Sequence, residues 1–182
     1  MVKLIDCSYF TKGERQILNA PFSSDNLTDQ AQIAIRDTID GFIESLQDEF
    51  LRNAVGRMTA TLLSEYLELK DAASEVEVND AEDTEFEEDA ELEKILSALR
   101  EPFADFVFFR MMRATRHQVT TTGVVQLKCA NDYVSPARLQ ADAWNRMVDG
   151  MFSFMEDVKP QIVSYAVVIS WNYLKPINHL NL

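Results

Sequence analysis

Apolar residues recur at Ile35, Ile39, Phe42, Ile43, Leu46, Phe50 and Leu51, the three-and-four spacing of an amphipathic helix. Thr28, with Asp29 after it, is placed to cap that helix. The pattern resumes through Val55, Met58, Leu62, Leu63, Tyr66 and Leu67, and Gly56 is where the axis should turn. Residues 28–70 therefore predict two helices or one broken helix. Leu92, Ile95, Leu96 and Leu99 mark another helical face, with Pro102 expected to kink that helix or start a new one. Phe103, Phe106, Val107, Phe108, Phe109, Met111 and Met112 then leave almost no polar face. A helix there must be covered on most sides, by its own domain or by neighbouring subunits. Ser135-Pro136 is a good helix start, and Trp144, Met147, Val148, Met151, Phe154, Met155 and Val158 form one broad stripe that should stop at Lys159-Pro160.

Two stretches carry a shorter period. Residues 118–128, QVTTTGVVQLK, are rich in β-branched side chains and bend at Gly123, which predicts a short hairpin or strand pair. From 163 onward Val163, Tyr165, Val167, Ile169, Trp171 and Tyr173 alternate with smaller or polar residues, the period of an extended strand. Such a strand needs a partner, either the 118–128 element or a neighbouring molecule by strand addition. The expected fold class is mainly α: four helices in a domain over 1–160, a small β-hairpin, and an extended arm over 161–182 whose six odd-numbered side chains form an interface.

Charge adds one strong feature. The 182 residues include 30 acidic and 17 basic groups, a net charge of −13, and 12 of the acidic groups lie in 71–93, which contains no base. A run of like charge repels itself and has little apolar surface to bury, so 71–93 reads as a solvated connection. General binding to nucleic acid is disfavoured by the sign of the charge. Cys7 and Cys129 form no CxxC pair, which suits a reducing compartment. Neither a signal peptide nor a membrane span is expected.

Candidate chemistry is sparse. His117 and His179 lack partners at metal-ligand spacing, and a calcium loop starting at Asp80 would have Glu85 where the turn requires glycine. Five glycines assemble no phosphate-binding motif, and neither cysteine has an activating histidine nearby in sequence. No catalytic residue, metal or cofactor is expected. Arg110, Arg113 and His117 share a helical face with Arg116 beside it. This basic stripe suits ion pairs with carboxylates of the same or an adjacent subunit better than contact with DNA.

In order, KLID near the amino terminus, the helix with its apolar-Gly step FLRNAVGRMTATLLSEYL, a polar connection, an apolar helix, Gly123-Val124-Val125, and Ser135-Pro136-Ala137 form a recognisable series. It resembles the head–tail connector proteins of tailed bacteriophages, also called adaptor or head-completion proteins, in the form found in phages of Bacteroidales and crAss-like phages. The resemblance spans most of residues 1–158 and leaves out the acidic run and the tail. It implies a non-enzymatic ring of twelve copies in the virion neck, docked on the portal protein and joined to a further tail or neck ring, with double-stranded DNA passing through. Two other classes fit the residues themselves: an acidic DNA mimic that inhibits a nucleic-acid enzyme, and a small helical regulatory protein.

Overall fold

A computed structural model describes residues 2–18, 20–22, 27–76, 88–115, 117–120, 123–126 and 136–178. The architecture is mainly helical. Helix α1 (Gln30–Val55) buries Ile39, Ile43, Leu46, Phe50, Leu51, Ala54 and Val55 on one stripe. Its cap is Asp29 rather than Thr28, since the Asp29 carboxylate accepts the Ala31 N–H at 2.9 Å. Gly56 separates α1 from α2 (Arg57–Val76) with φ at +87°, a region that costs side chains strain.

Helix α3 (Ala90–Thr115) continues through Pro102, so no new helix starts there. The proline removes one backbone donor, but its ring lies against α4 (Pro136–Ser153), where a Cβ on Gly150 would come within 2.7 Å of the Pro102 Cγ. Close packing between the two helices outweighs the local penalty, which sequence alone shows only as a helix breaker. Phe103, Phe106, Val107, Phe108 and Phe109 of α3 are all buried, so this chain itself covers the apolar helix. After α4 come a π-helical turn (Phe154–Val158) and a 3-10 turn (Lys159–Gln161), so the stripe continues past Ser153 and Phe154 stays buried. Beyond α3, β1 (His117–Thr120) pairs antiparallel with β2 (Gly123–Gln126), with Val119 opposite Val124.

The acidic run is corrected at both ends. Helix α2 extends to Val76, and α3 is preceded by Asp89 and carries Glu91 and Glu93 in its first turn. Asp89 caps the helix by accepting the Glu91 and Leu92 N–H groups at 2.9 and 3.0 Å. Carboxylates at a helix amino terminus satisfy unpaired donors and favour the dipole, so part of the run is structural. Residues 77–87, together with Arg116, Cys129, Ser135 and His179, lie outside the described residues.

Candidate docking groove

The carboxyl-terminal segment helps to line an open concave surface. It forms no strand: residues 162–170 have no regular secondary structure, and Trp171–Leu174 make a 3-10 turn. The alternation predicted for 163–173 fails because the partner offered to the segment is a set of helix ends rather than a strand edge. Helix ends leave their last carbonyls without intrahelical donors. Val168 N–H donates to the Val55 carbonyl at 3.0 Å, and Ser170 N–H to that of Asn53 at 2.7 Å. Thr59 Oγ1, in the first turn of α2, donates to the Ala166 carbonyl at 2.7 Å. Gly56 permits this approach, because a Cβ there would lie 3.3 Å from the Val168 Cβ.

Upstream of that crossing the acidic residues of α3 hold the tail. The Glu91 carboxylate accepts N–H bonds from Val163 at 3.1 Å and Ser164 at 2.9 Å. The Tyr165 hydroxyl donates to Asp89, which draws the Asp89 carboxyl below its ordinary value with help from the Leu92 and Glu91 amides. Glu93 accepts from Tyr66 at 2.9 Å and from Lys70. Burial alone would raise the Glu93 carboxyl, but these two donors bring it below its usual value. The Tyr66 phenol is correspondingly pushed up to about 12 by burial and by its bond to Glu93.

Downstream, Tyr173 enters an aromatic cluster. Its ring centroid lies 5.6 Å from Phe50, 5.6 Å from Phe106 and 6.1 Å from Trp144 in an edge-on contact. Phe50 in turn stacks near Phe103 at 5.0 Å. Burying a side chain of this size contributes roughly 1.5–3 kcal/mol. The Trp144 indole N–H donates to the Lys175 carbonyl at 2.7 Å, and Asn145 exchanges two bonds with the Ile177 backbone, at 2.7 and 3.0 Å. The tail thus lies along α4 as well.

The six residues expected to form a free interface are therefore divided. Val167 and Tyr173 are buried in the chain's own core, Tyr165 is engaged with Asp89, and Ile169 is half-buried against the core. Val163, 86% exposed, and Trp171, 67% exposed, face outward. Val168, an even-numbered residue, is also exposed. The segment is laid onto its own helices because they offer unsatisfied carbonyls and an aromatic slot.

Between α1, α3 and the residues 172–177 lies an open groove of about 1000 Å³. Its apolar lining includes Phe42, Phe106, Phe109 and Trp144, with Tyr173 among the lining residues. Three cations and one carboxylate complete it: Arg110, Arg113, Lys175 and Glu49. Arg110 pairs with Glu49 at 2.8 Å and sits 5.5 Å from the Phe106 ring centroid, and Arg113 lies 5.5 Å from that of Phe109. Lys175 is held 5.8 Å from the Trp171 ring centroid. Such stacking keeps cations extended over apolar surface and leaves guanidinium edges directed at polar partners. The Arg110 pairing is within the chain.

A second ionic centre is structural. Asp105, buried in α3, meets Arg146 at 2.9 Å and Arg15 at 3.1 Å, tying α3 to α4 and to the amino-terminal segment. Burial raises the Asp105 carboxyl above its ordinary value despite the lowering pull of both guanidinium groups. Gln47 does the neutral equivalent, accepting the Leu4 N–H at 2.7 Å and donating to the Val2 carbonyl at 2.8 Å. Cys7 is fully buried.

Among the described residues no group of three or more His, Cys, Asp or Glu side chains could hold a metal ion. No helix among them is long and apolar enough to cross a membrane. The acidic hold on the tail was missed by reading 71–93 as one charge run. Its signal was available in Asp89, a capping residue placed just before the apolar period beginning at Leu92. The groove had no comparable signal, because its walls come from positions more than a hundred residues apart. Comparison with protein-family models, curated proteins and solved structures finds no match to this chain.

Proposed function

We propose that the chain is a non-enzymatic structural subunit that works by docking to copies of itself and to other proteins, as the head–tail connectors it resembles do. In that setting it forms a ring in a phage neck, seated on a portal protein and meeting a further tail or neck ring, with DNA passing through the channel. The observation that carries the reading is the groove: an open, aromatic, cation-rimmed surface built by three helices and the tail. Exposed Trp171 belongs to the turn that also supplies Tyr173. Aromatic and arginine side chains together are the usual anchors of protein interfaces. A carboxylate-rich segment facing a channel would repel phosphate and keep DNA from adhering.

The mass of the purified particle, by light scattering together with electron microscopy, tests this. A closed ring that binds a portal protein is the expected result. A monomer that binds a nuclease or polymerase through its acidic run would replace this reading with the DNA-mimic one.

A further inference from the structure

The acidic run and the groove are complementary in charge; the run precedes the amino terminus of α3 in sequence, and the groove lies near that helix's carboxyl end. We propose that residues 77–87 of one copy dock in the groove of the next, joining copies head to tail. This rests on the structural-subunit reading and names the partner of its groove.

The segment 77–87, EVNDAEDTEFE, carries six carboxylates, no base, and Phe86 set between Glu85 and Glu87. Among the described residues the groove is lined by Arg110, Arg113 and Lys175 and by one carboxylate, Glu49, which Arg110 pairs, on a chain whose net charge is −13. Carboxylates pair with guanidinium groups in a fixed, two-bond geometry, and an aromatic ring is received by the half-buried aromatic side chains that line the groove, Phe42 and Trp144. Salt screens the acidic remainder of the molecule beyond about 8–10 Å, so the cations of the groove act locally.

The chain's own segment cannot reach. Ala90 and Arg110 are twenty residues apart on one helix, which at 1.5 Å per residue is about 30 Å. Val76 lies no nearer, because Lys70, six residues before it, already pairs with Glu93 in the first turn of α3. A stretch of eleven residues held at both ends can reach outward by no more than about half its contour, about 20 Å. Phe86, two residues from Glu88, has about 7 Å of reach. A second copy supplies the segment without strain. The contact uses different surfaces on the two copies, and such head-to-tail contacts close into rings or continue as filaments.

A charge swap on the full chain tests this. Arg113→Glu with Lys175→Glu reverses two exposed groove cations, and Asp83→Lys with Glu85→Lys and Glu87→Lys reverses the segment. Sedimentation should show wild-type association that weakens with salt, a loss of about ten-fold or more in each variant alone, and recovery when the two are mixed, since each then offers the other both complementary surfaces. Circular dichroism checks that each variant is folded. Should the groove reversal unfold the chain, Arg113→Gln with Lys175→Gln takes its place, and a weaker and less salt-sensitive association is expected. Association indifferent to both reversals overturns the docking and leaves the structural-subunit reading standing, whereas a wild-type chain that is monomeric at all concentrations overturns both. A fluorescent DNA duplex bound by wild type and lost in the groove variant would give the groove to nucleic acid and overturn the proposal.

Discussion

The two halves of the carboxyl-terminal tail are held by different forces. Residues 162–170 are fastened largely by polar bonds, from Glu91, Asp89, Thr59 and the last carbonyls of α1, with Val167 their one buried side chain, and they leave Val163 and Val168 in water. Residues 171–177 are fastened chiefly by burial, with Tyr173 among Phe50, Phe106 and Trp144. A hydrogen bond exchanged with water contributes about 0.5–1.5 kcal/mol net, whereas a buried aromatic side chain contributes roughly 1.5–3 kcal/mol. The downstream half should therefore anchor the tail, and the upstream half should place it.

The largest effect should come from Tyr173→Ala. It empties the slot between Phe50 and Phe106, with a loss of about 3–5 kcal/mol, read as a lowered midpoint in denaturant unfolding. A loss under about 1 kcal/mol would mean that the downstream half is as weakly held as the upstream half. Next is Gly56→Ala, which combines a positive φ with a Cβ pressed against Val168. About 1–3 kcal/mol is expected, with faster hydrogen exchange at the Val168 and Ser170 amides.

Glu91→Ala removes three acceptor contacts to Val163 and Ser164 from an exposed site, and about 1 kcal/mol should be lost. Proteolysis near 162–165 should quicken while the Tyr173 environment, followed by near-ultraviolet dichroism, stays native. Smallest is the response to acid. The carboxyls of Asp89 and Glu93 are lowered in the folded chain, so their contribution is complete above the ordinary values of 3.8 and 4.5 and is lost as pH falls through the folded values beneath them. Asp105 works in the opposite sense. Its raised carboxyl makes its contribution greatest at low pH and smaller as pH rises through the folded value. Acid should therefore loosen the upstream half of the tail first. If fluorescence of the Tyr173 and Trp144 region changes at the same pH as amide exchange at Val163, the two halves are one cooperative unit and the contrast between them fails.

Much of the helical framework was legible because it depends on periods of three and four along the chain. The stripe from Ile39 to Leu51, the turn at Gly56 and the apolar run around Phe106 each state locally which face is buried. The acidic excess was equally plain. Local reading went wrong where a distant residue altered the balance. Pro102 remains inside α3 because Gly150 leaves room for its ring. The alternation of 163–173 reads as a strand, but alternation records only which side chains prefer burial and says nothing about the backbone partner. That partner is the carboxyl end of α1, and its free carbonyls draw in Val168 and Ser170 while Tyr173 turns into the aromatic slot. By itself the sequence determined the helices, their buried stripes and the separation of charge, since these follow from neighbours along one element. Only the tertiary structure decided the course of the tail and the existence of the groove, because both arise where α1, α3, α4 and the chain's last segment meet.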